Sequence, residues 1–348
     1  MPPDPSARPK TGAAGAAGAA GAAGAADAAG AAGADSAAGR RQLLRRAVAW
    51  PLLPLASAAW LSACASSPWP DIAAGAGSSS ARARLQESAD AHGLAAWRGL
   101  RDINVSYRGG WRSLVKQRQP VLVDAGYRAG SQERLLPGAG LLAQDHRGDA
   151  GHKQVLRRQA GRGGPGGPGP ATGDVTVWLN GSVSTDRDVR DAAALVADGY
   201  SLFLAGPMAL AGFAGPVNWG PPETLHGQRC DQLLLDLVPG LGFAAGDRLA
   251  LFIDREPGLL RRLRLSLDGL RSTVGAVAEV DFFDHLSQHG VQWPRRFAER
   301  QRLPVPDLPV HDWRLTGLDV NRGYGPDAVS GAQFGGAAAA PARPLPHG

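Results

Sequence analysis

Three places in the chain set imidazole beside carboxylate at a spacing that chemistry can use. Asp284-His285-Leu286-Ser287-Gln288-His289 would put two histidines on one face of a helix, the spacing of a divalent-metal pair. Asp145-His146 with His152, and His311-Asp312, would serve as acid–base dyads. Each has a plainer reading. The 284–289 stretch lies between two runs of period-two alternation, so a turn between strands explains it better than a helix. The other pairs read first as polar loop residues. Cys230 falls in an alternating run and reads as a small buried apolar residue. The chain has no Gly-x-Ser-x-Gly elbow, no His-Glu-x-x-His, no Cys-x-x-Cys and no dinucleotide fingerprint. Gly161-Arg162-Gly163-Gly164-Pro165 has a phosphate-loop look, but no Gly-Lys-Ser/Thr follows it. The expectation is no catalytic residue, no metal and no cofactor, with a hydrolase using a dispersed His/Asp set as the remote alternative.

Charge excludes little but directs attention. The formal net charge is +6, and half of that excess lies in residues 1–64, with Lys10, Arg8, Arg40, Arg41, Arg45 and Arg46 against Asp4, Asp27 and Asp35. Beyond the leader, Arg261-Arg262 and Arg295-Arg296 are short doublets that read as solvated strand ends. No basic stripe interleaved with aromatics is present, so no nucleic-acid partner is expected.

The most informative leader segment is Arg40 to Cys64. A basic start, Arg40-Arg41-Gln42-Leu43-Leu44-Arg45-Arg46, precedes an apolar run from Ala47 to Ala59 that Pro51 and Pro54 interrupt. That run is too short and broken for a comfortable membrane span. Leu61-Ser62-Ala63-Cys64 resembles the lipobox of bacterial lipoproteins, and the basic start resembles a twin-arginine signal with Gly39 in place of Ser or Thr. The resemblance implies acylation, palmitate included, at Cys64 and tethering in the bacterial envelope. Ala65 in the second mature position points to the outer membrane, facing the periplasm. Acyl chains stabilise such anchoring by about 0.8 kcal/mol per buried methylene.

The elements divide the chain. Residues 1–39 are an Ala/Gly tract with too few large apolar side chains to offset ordering, and read as disordered. Residues 40–64 are the signal peptide and 65–81 a Ser/Pro/Gly-rich tether. From Ala81 to Leu100, Leu85, Ala89, Leu94, Trp97 and Leu100 recur near helical spacing, with Gly93 as a weak point. Ile103 to Tyr107 alternates as a first strand, followed by two candidate strands over Pro120–Tyr127 and Gln132–Leu136. Asp145 to Arg157 is polar, and a Gly/Pro insert spans 161–173. Val175–Leu179 is a strand, and Thr185 opens a helix carrying Val189, Ala193, Val196, Tyr200 and Phe203 on one face. Met208 to Pro222 is punctuated by Gly and Pro yet rich in apolar residues, and reads as a flap. From Arg229 the alternation resumes and runs through a meander, Leu249 to Asn321, whose face parity changes at Gly317, implying a bulge there. Residues 325–348 read as a disordered tail.

The order of these motifs is familiar. A lipobox precedes a helix ending in Ala96-Trp97-Arg98-Gly99-Leu100 and a run of strands. Gly227-Gln228-Arg229-Cys230-Asp231 opens a later strand, then come the Leu251–Asp254 and Gly258–Leu260 arms of a hairpin. Ala278–Asp284 with Gly290–Pro294 and a last strand to Asn321 complete it. This resembles the periplasmic lipoprotein-carrier superfamily, the Lol-type and mycobacterial lipid-carrier lipoproteins, over residues 82–324. The resemblance implies an α+β fold: a strongly curved antiparallel sheet, an incomplete β-barrel, closed by helices on its concave side over an apolar cavity. It also implies a non-catalytic carrier or acceptor for a lipid or an acylated lipoprotein, with an unidentified envelope protein as a possible further partner. The aromatic candidates for the cavity or its mouth are Trp178, Phe203, Phe213, Trp219 and Phe252. The alternative is a structural lipoprotein that docks another protein through the same sheet, with its core filled.

Overall fold

The polar caps and glycines of the sequence set the helix ends. Ser78 Oγ accepts the Ala81 N–H at 3.3 Å and starts helix α1 (Ser79–Ala91). Gly93 adopts the left-handed conformation (φ 93°) and breaks the expected single helix, so that a short α2 (Leu94–Arg98) follows at a new angle. Asp186 caps the longest helix, α5 (Arg187–Ala205), accepting the N–H groups of Asp188 and Val189 at 2.8 and 3.2 Å. Gly206 ends it.

The computed structural model describes residues 69–70, 77–159, 173–303 and 307–329, all inside the unit Cys64–Gly348. After α1 and α2 come β1 (Ile103–Trp111), α3 (Ser113–Arg118), α4 (Pro120–Val123), β2 (Gly130–Leu136), β3 (Leu141–Gly148), β4 (Gly151–Arg158), β5 (Asp174–Leu179) and β6 (Ser182–Val183). Then follow α5, α6 (Pro207–Leu210), β7 (Val217–Leu225), β8 (Gln228–Leu237), β9 (Asp247–Asp254), β10 (Leu260–Ser266) and β11 (Val277–Phe283). A small hairpin of β12 (Leu286–Gln288) and β13 (Val291–Trp293) precedes β14 (Arg296–Leu303), β15 (Leu308–Val320) and α7 (Pro326–Val329).

All strands outside that hairpin form one antiparallel sheet of 13, in the order β6-β5-β4-β3-β2-β1-β15-β14-β11-β10-β9-β8-β7. Laid flat, β4 and β9 would stand eight strand spacings, about 38 Å, apart. Instead Arg157 of β4 donates a 2.8 Å hydrogen bond to the carbonyl of Gly242 in the β8–β9 loop. The sheet therefore curls into a trough, with α5 lying in it. Tyr200 of α5 packs at 5.5 Å from Phe297 of β14 and 5.9 Å from Trp313 of β15, while Ala193 and Ala194 pack on Val175 and Val177 of β5. β6 and β7 stay unpaired with each other, so the barrel is incomplete. The fold is the expected α+β one, with helices on the concave side.

One buried ion pair and the backbone of Gly242 close the trough. Arg157 Nε and Nη2 donate to the Asp198 carboxylate of α5 at 3.1 and 2.7 Å, and Asp198 also accepts the Gly242 N–H at 2.9 Å. Both side chains are almost wholly buried. Gly242 has φ +61°, and a Cβ there would meet Leu195 N at 3.0 Å, so only glycine lets the loop come this close.

The parity change at Gly317 has the expected cause. Ser106 pairs with Gly317 and Tyr107 with Leu315, which leaves Thr316 as a bulge. The bulge keeps both Leu315 and Leu318 on the concave face, opposite Tyr107 and Val105.

Several segments differ from expectation. Pro120–Val123 is a helical turn rather than a strand, because Pro120 at the first helical position has no N–H to lose there. The polar stretch Asp145–Arg157 is a hairpin, β3 with β4, whose polar residues lie on both faces and hide the alternation. Only residues 211–216 of the Met208–Pro222 flap are irregular; α6 and the edge strand β7 hold the rest. The tether ends before Ser79, and the start of the tail forms α7, whose Val329 is buried against Leu136 and Leu141. The Arg doublets are not solvated strand ends. Arg262 bonds Asp281 at 2.5 Å, and Arg264 and Arg300 bond Glu279 at 2.6 and 2.8 Å, a buried lattice on the convex face. Arg261 pairs with Asp254 and Arg296 with Asp312. The Ala/Gly tract, the signal segment with Cys64, and residues 161–172 of the insert lie outside the described residues.

Removing one member of a buried ion pair strands the other in a low-dielectric site, at a cost of about 3–5 kcal/mol. Asp198→Asn is therefore expected to lower unfolding free energy by roughly that amount in denaturant titrations. Asp236→Asn, at the exposed Arg248–Asp236 pair, should change it by less than about 1 kcal/mol.

Candidate functional site

The sheet register defines what faces the trough. One cross-strand row reads Ile103, Leu135, Leu142, Arg157, Val175; the next Val105, Glu133, Gln144, Val155, Val177; the third Tyr107, Ser131, His146, Lys153, Leu179. Most of the concave face is packed by α1, α5 and the aromatic group Tyr200, Phe203, Phe282, Phe297 and Trp313. Space remains at one end. A cleft of about 280 Å³ lies between α5–α6, the β2–β3 turn and the β8–β9 loop, lined by Leu135, Leu142, Leu202, Met208, Phe213 and Leu241 among others. A second cleft, of about 460 Å³, adjoins it between α2, α6 and the 211–214 segment. Trp97, Met208, Ala209, Leu210, Phe213 and Leu237 line both. Together they reach the size range of small-molecule sites; most of their lining side chains are apolar, while polar atoms make up nearly half of the exposed wall. Arg82 of α1 holds the segment that roofs them, donating to the carbonyls of Phe213 and Gly215, each at 2.5 Å.

The five aromatics singled out from the sequence do not come together. Phe213 lines both clefts. Phe203 is buried in the trough and lines a smaller cavity beside α5. Trp219 is 43% exposed on the edge strand, its indole N–H bonded to Ser80 Oγ at 2.9 Å. Trp178 alternates with Val175, Val177 and Leu179, which face α5, and so lies on the convex side. Phe252 is also convex: it packs with Leu225, Cys230, Leu234 and Ala250 under the guanidinium groups of Arg262 and Arg264, while its neighbours Leu251 and Ile253 face the trough. Strand parity gave Phe252 and Trp178 away in principle. What it could not tell is which face is concave. The cleft residues Trp97, Met208, Leu210 and Leu237 were legible only as periodic apolar positions.

Of the candidate histidine–carboxylate pairs, only Asp145 with His152 comes together. His152 meets the Asp145 carboxylate on the convex side, while His146 points into the trough, where burial first and then Arg128 and Lys153 hold its pKa well below the usual range. His311 pairs with Glu299 at 2.6 Å rather than with Asp312, which Arg296 holds. His285 packs against His92 at 5.9 Å between ring centres, and burial, then the neighbouring His92, push it down to about 3. His92 donates Nδ1–H to the Ser88 carbonyl and accepts the Leu260 N–H, so its ring is the neutral tautomer. His289 lies beside Gln288 in the β12–β13 turn. Among the described residues no three His, Cys, Asp or Glu side chains stand where a metal ion would sit.

Sequence reasoning missed the polar residues inside the trough. Glu133 is buried with one hydrogen bond, from Ser131 Oγ at 3.0 Å, and the Gln144 amide lies beside it without completing a bond of good geometry. Burial raises the Glu133 pKa to about 7 against the pull of Ser131, Gln144 and Arg128. Lys153 reaches Asp124 next to this row.

The chain matches no protein-family model and no curated protein sequence. Among solved structures it is similar to a DUF1329 family protein from Desulfovibrio piger (10% identity, 72% of this chain and 97% of that one, TM-score 0.43). A LolA superfamily protein from Nitrosomonas europaea (12%, 72% and 97%, 0.40) and a putative outer membrane lipoprotein-sorting protein domain from Vibrio parahaemolyticus (10%, 72% and 97%, 0.39) are also similar. These likenesses concern the fold alone.

Glu133 supplies a pH test. A carboxyl whose folded pKa is raised keeps the fold fully stable below its unfolded value, near 4.5, and loses that contribution as pH rises through about 7. Glu133→Gln stays neutral throughout. It is expected to be about 2–3 kcal/mol more stable than the parent at pH 8 and nearly equal to it at pH 4, read from chemical denaturation at both values.

Proposed function

We propose that this protein is a non-catalytic lipoprotein of the bacterial envelope that binds an acyl chain, of a lipid or of an acylated protein, in the paired clefts beside α6. The observation that carries the reading is the adjoining clefts of about 280 and 460 Å³ with six apolar lining residues in common. Each methylene taken from water into such a space contributes about 0.8 kcal/mol, so a chain of ordinary length is held with little polar specificity. The shared wall is made by α6, α2 and the 211–214 segment, with only Leu237, at the end of β8, coming from the sheet, and the Arg82 bonds to Phe213 and Gly215 are the contacts a guest would loosen on entering. Anchoring through an acylated Cys64, with the tether as spacer, would hold the clefts near a membrane. Outer-membrane placement follows from Ala65 under the lipoprotein sorting preference.

A docking role for the sheet has one observation in its favour, the packing of α5 and its aromatics that fills the trough away from the clefts.

The two readings separate on a cleft-filling substitution. Ala209 is half-buried and lines both clefts, so Ala209→Trp occupies the guest's space without removing a core side chain. Mass spectrometry of organic extracts should find acyl lipid with the purified parent protein. The variant should carry about tenfold less or lower, since displacing two methylenes already costs that factor. Parent protein free of lipid, with no rise in melting temperature on adding fatty acids, would favour docking.

A further inference from the structure

Arg128, in the loop between α4 and β2, is buried on the concave side without a carboxylate partner. Its terminal nitrogens donate to the Leu122 carbonyl at 3.1 Å and the Tyr200 hydroxyl at 2.9 Å, and its Nε–H has no acceptor. The guanidinium carbon lies 4.8 Å from the Trp111 ring centre, 5.3 Å from Tyr200 and 5.7 Å from Trp313. The indole N–H groups of Trp111 and Trp313 are also buried without an acceptor. Arginine and tryptophan nitrogens can only donate, so what this cluster lacks is an acceptor. Leaving even one such donor unmet in a buried site costs about 1–3 kcal/mol, and a buried guanidinium without a counter-charge costs more.

The nearest space is a small, mostly apolar cavity of about 50 Å³ beside α5, lined by Trp111, Tyr200, Leu195, Leu241 and Leu265 among others; Arg128 and Trp313 do not line it, and reach a guest there only by a shift of side chains. Leu241 also lines the larger cleft. The acids nearby do not pair with it: Glu299 is engaged by His311 at 2.6 Å, and Glu133, which senses the Arg128 charge, makes no ion pair with it.

We propose that Arg128, Trp111 and Trp313 form a head-group site that takes the carboxylate of a fatty acid, with the chain running past Leu241 toward the clefts. The proposal rests on the acyl-binding reading and adds a ligand class to it. The carboxylate would accept the Arg128 Nε–H and the indole N–H groups, supplying the missing counter-charge. A charge-assisted bond of this kind separates an acid from its alcohol by about tenfold or more.

The test compares hexadecanoate, hexadecanol and methyl hexadecanoate binding to the delipidated full chain at pH 8 by competition with a fluorescent acyl probe. The expected result is hexadecanoate at least about tenfold tighter than the other two. Trp111→Phe, which keeps the ring and deletes the donor, should narrow the gap by weakening hexadecanoate alone, and Arg128→Gln should abolish it. If Arg128→Gln unfolds, the Trp111→Phe result and the parent's ligand ranking decide. Equal binding of all three ligands by the parent would overturn the head-group site, mark the donors as water-filled, and leave the acyl reading standing. No binding of any ligand would overturn both.

Discussion

The contact of Arg157 and Asp198 with Gly242 is what turns a broad sheet into a container. Hydrogen bonding between strands favours a ribbon of 13 strands, and a single helix cannot cover a flat ribbon of that width. Joining β4, α5 and the β8–β9 loop through one buried pair and two backbone groups brings the wings of the sheet to the same helix. The paired clefts are a direct consequence. Their walls include the β2–β3 turn from one wing and the β8–β9 loop from the other, which would not face each other in an open sheet.

Two kinds of buried polarity serve different ends here. The convex lattice of Arg262, Arg264 and Arg300 with Glu279 and Asp281 is fully satisfied, and its arginine stems cover apolar Phe252. It seals the outer face. The concave residues Gln144, His146 and Arg128 are incompletely satisfied. A protein does not keep unmet donors in its interior for stability. Their position on the concave face is the arrangement expected where a guest with a polar end is received.

Much of the fold was legible in the sequence. The alternation of Leu249–Asn321 gave strands β9 to β11, β13 and β15, though not β14, and the parity shift at Gly317 located a real bulge at Thr316. The start of α5 was readable to within one residue, its cap being Asp186 rather than Thr185, and the weak point at Gly93 is a real break. The β3–β4 hairpin was not, because Gln144, His146 and Lys153 put polar side chains on the concave face as well as the convex one. Alternation reports burial only when one face is wet. The candidate site was less legible for a related reason. Trp178 and Phe252 look like Phe203 in sequence, and only the direction of sheet curvature, set by Arg157 reaching Gly242, decides which of them faces inward.

The central claim, that the clefts beside α6 receive an acyl chain, is tested most directly by photolabelling with a diazirine-bearing fatty acid and mapping the adducts by peptide mass spectrometry. Adducts are expected on Trp97, on residues 207–214 and on the loop around Leu237 to Leu241. Labelling confined to the convex residues, Phe252 or Trp178, or spread without preference over the surface, would contradict it.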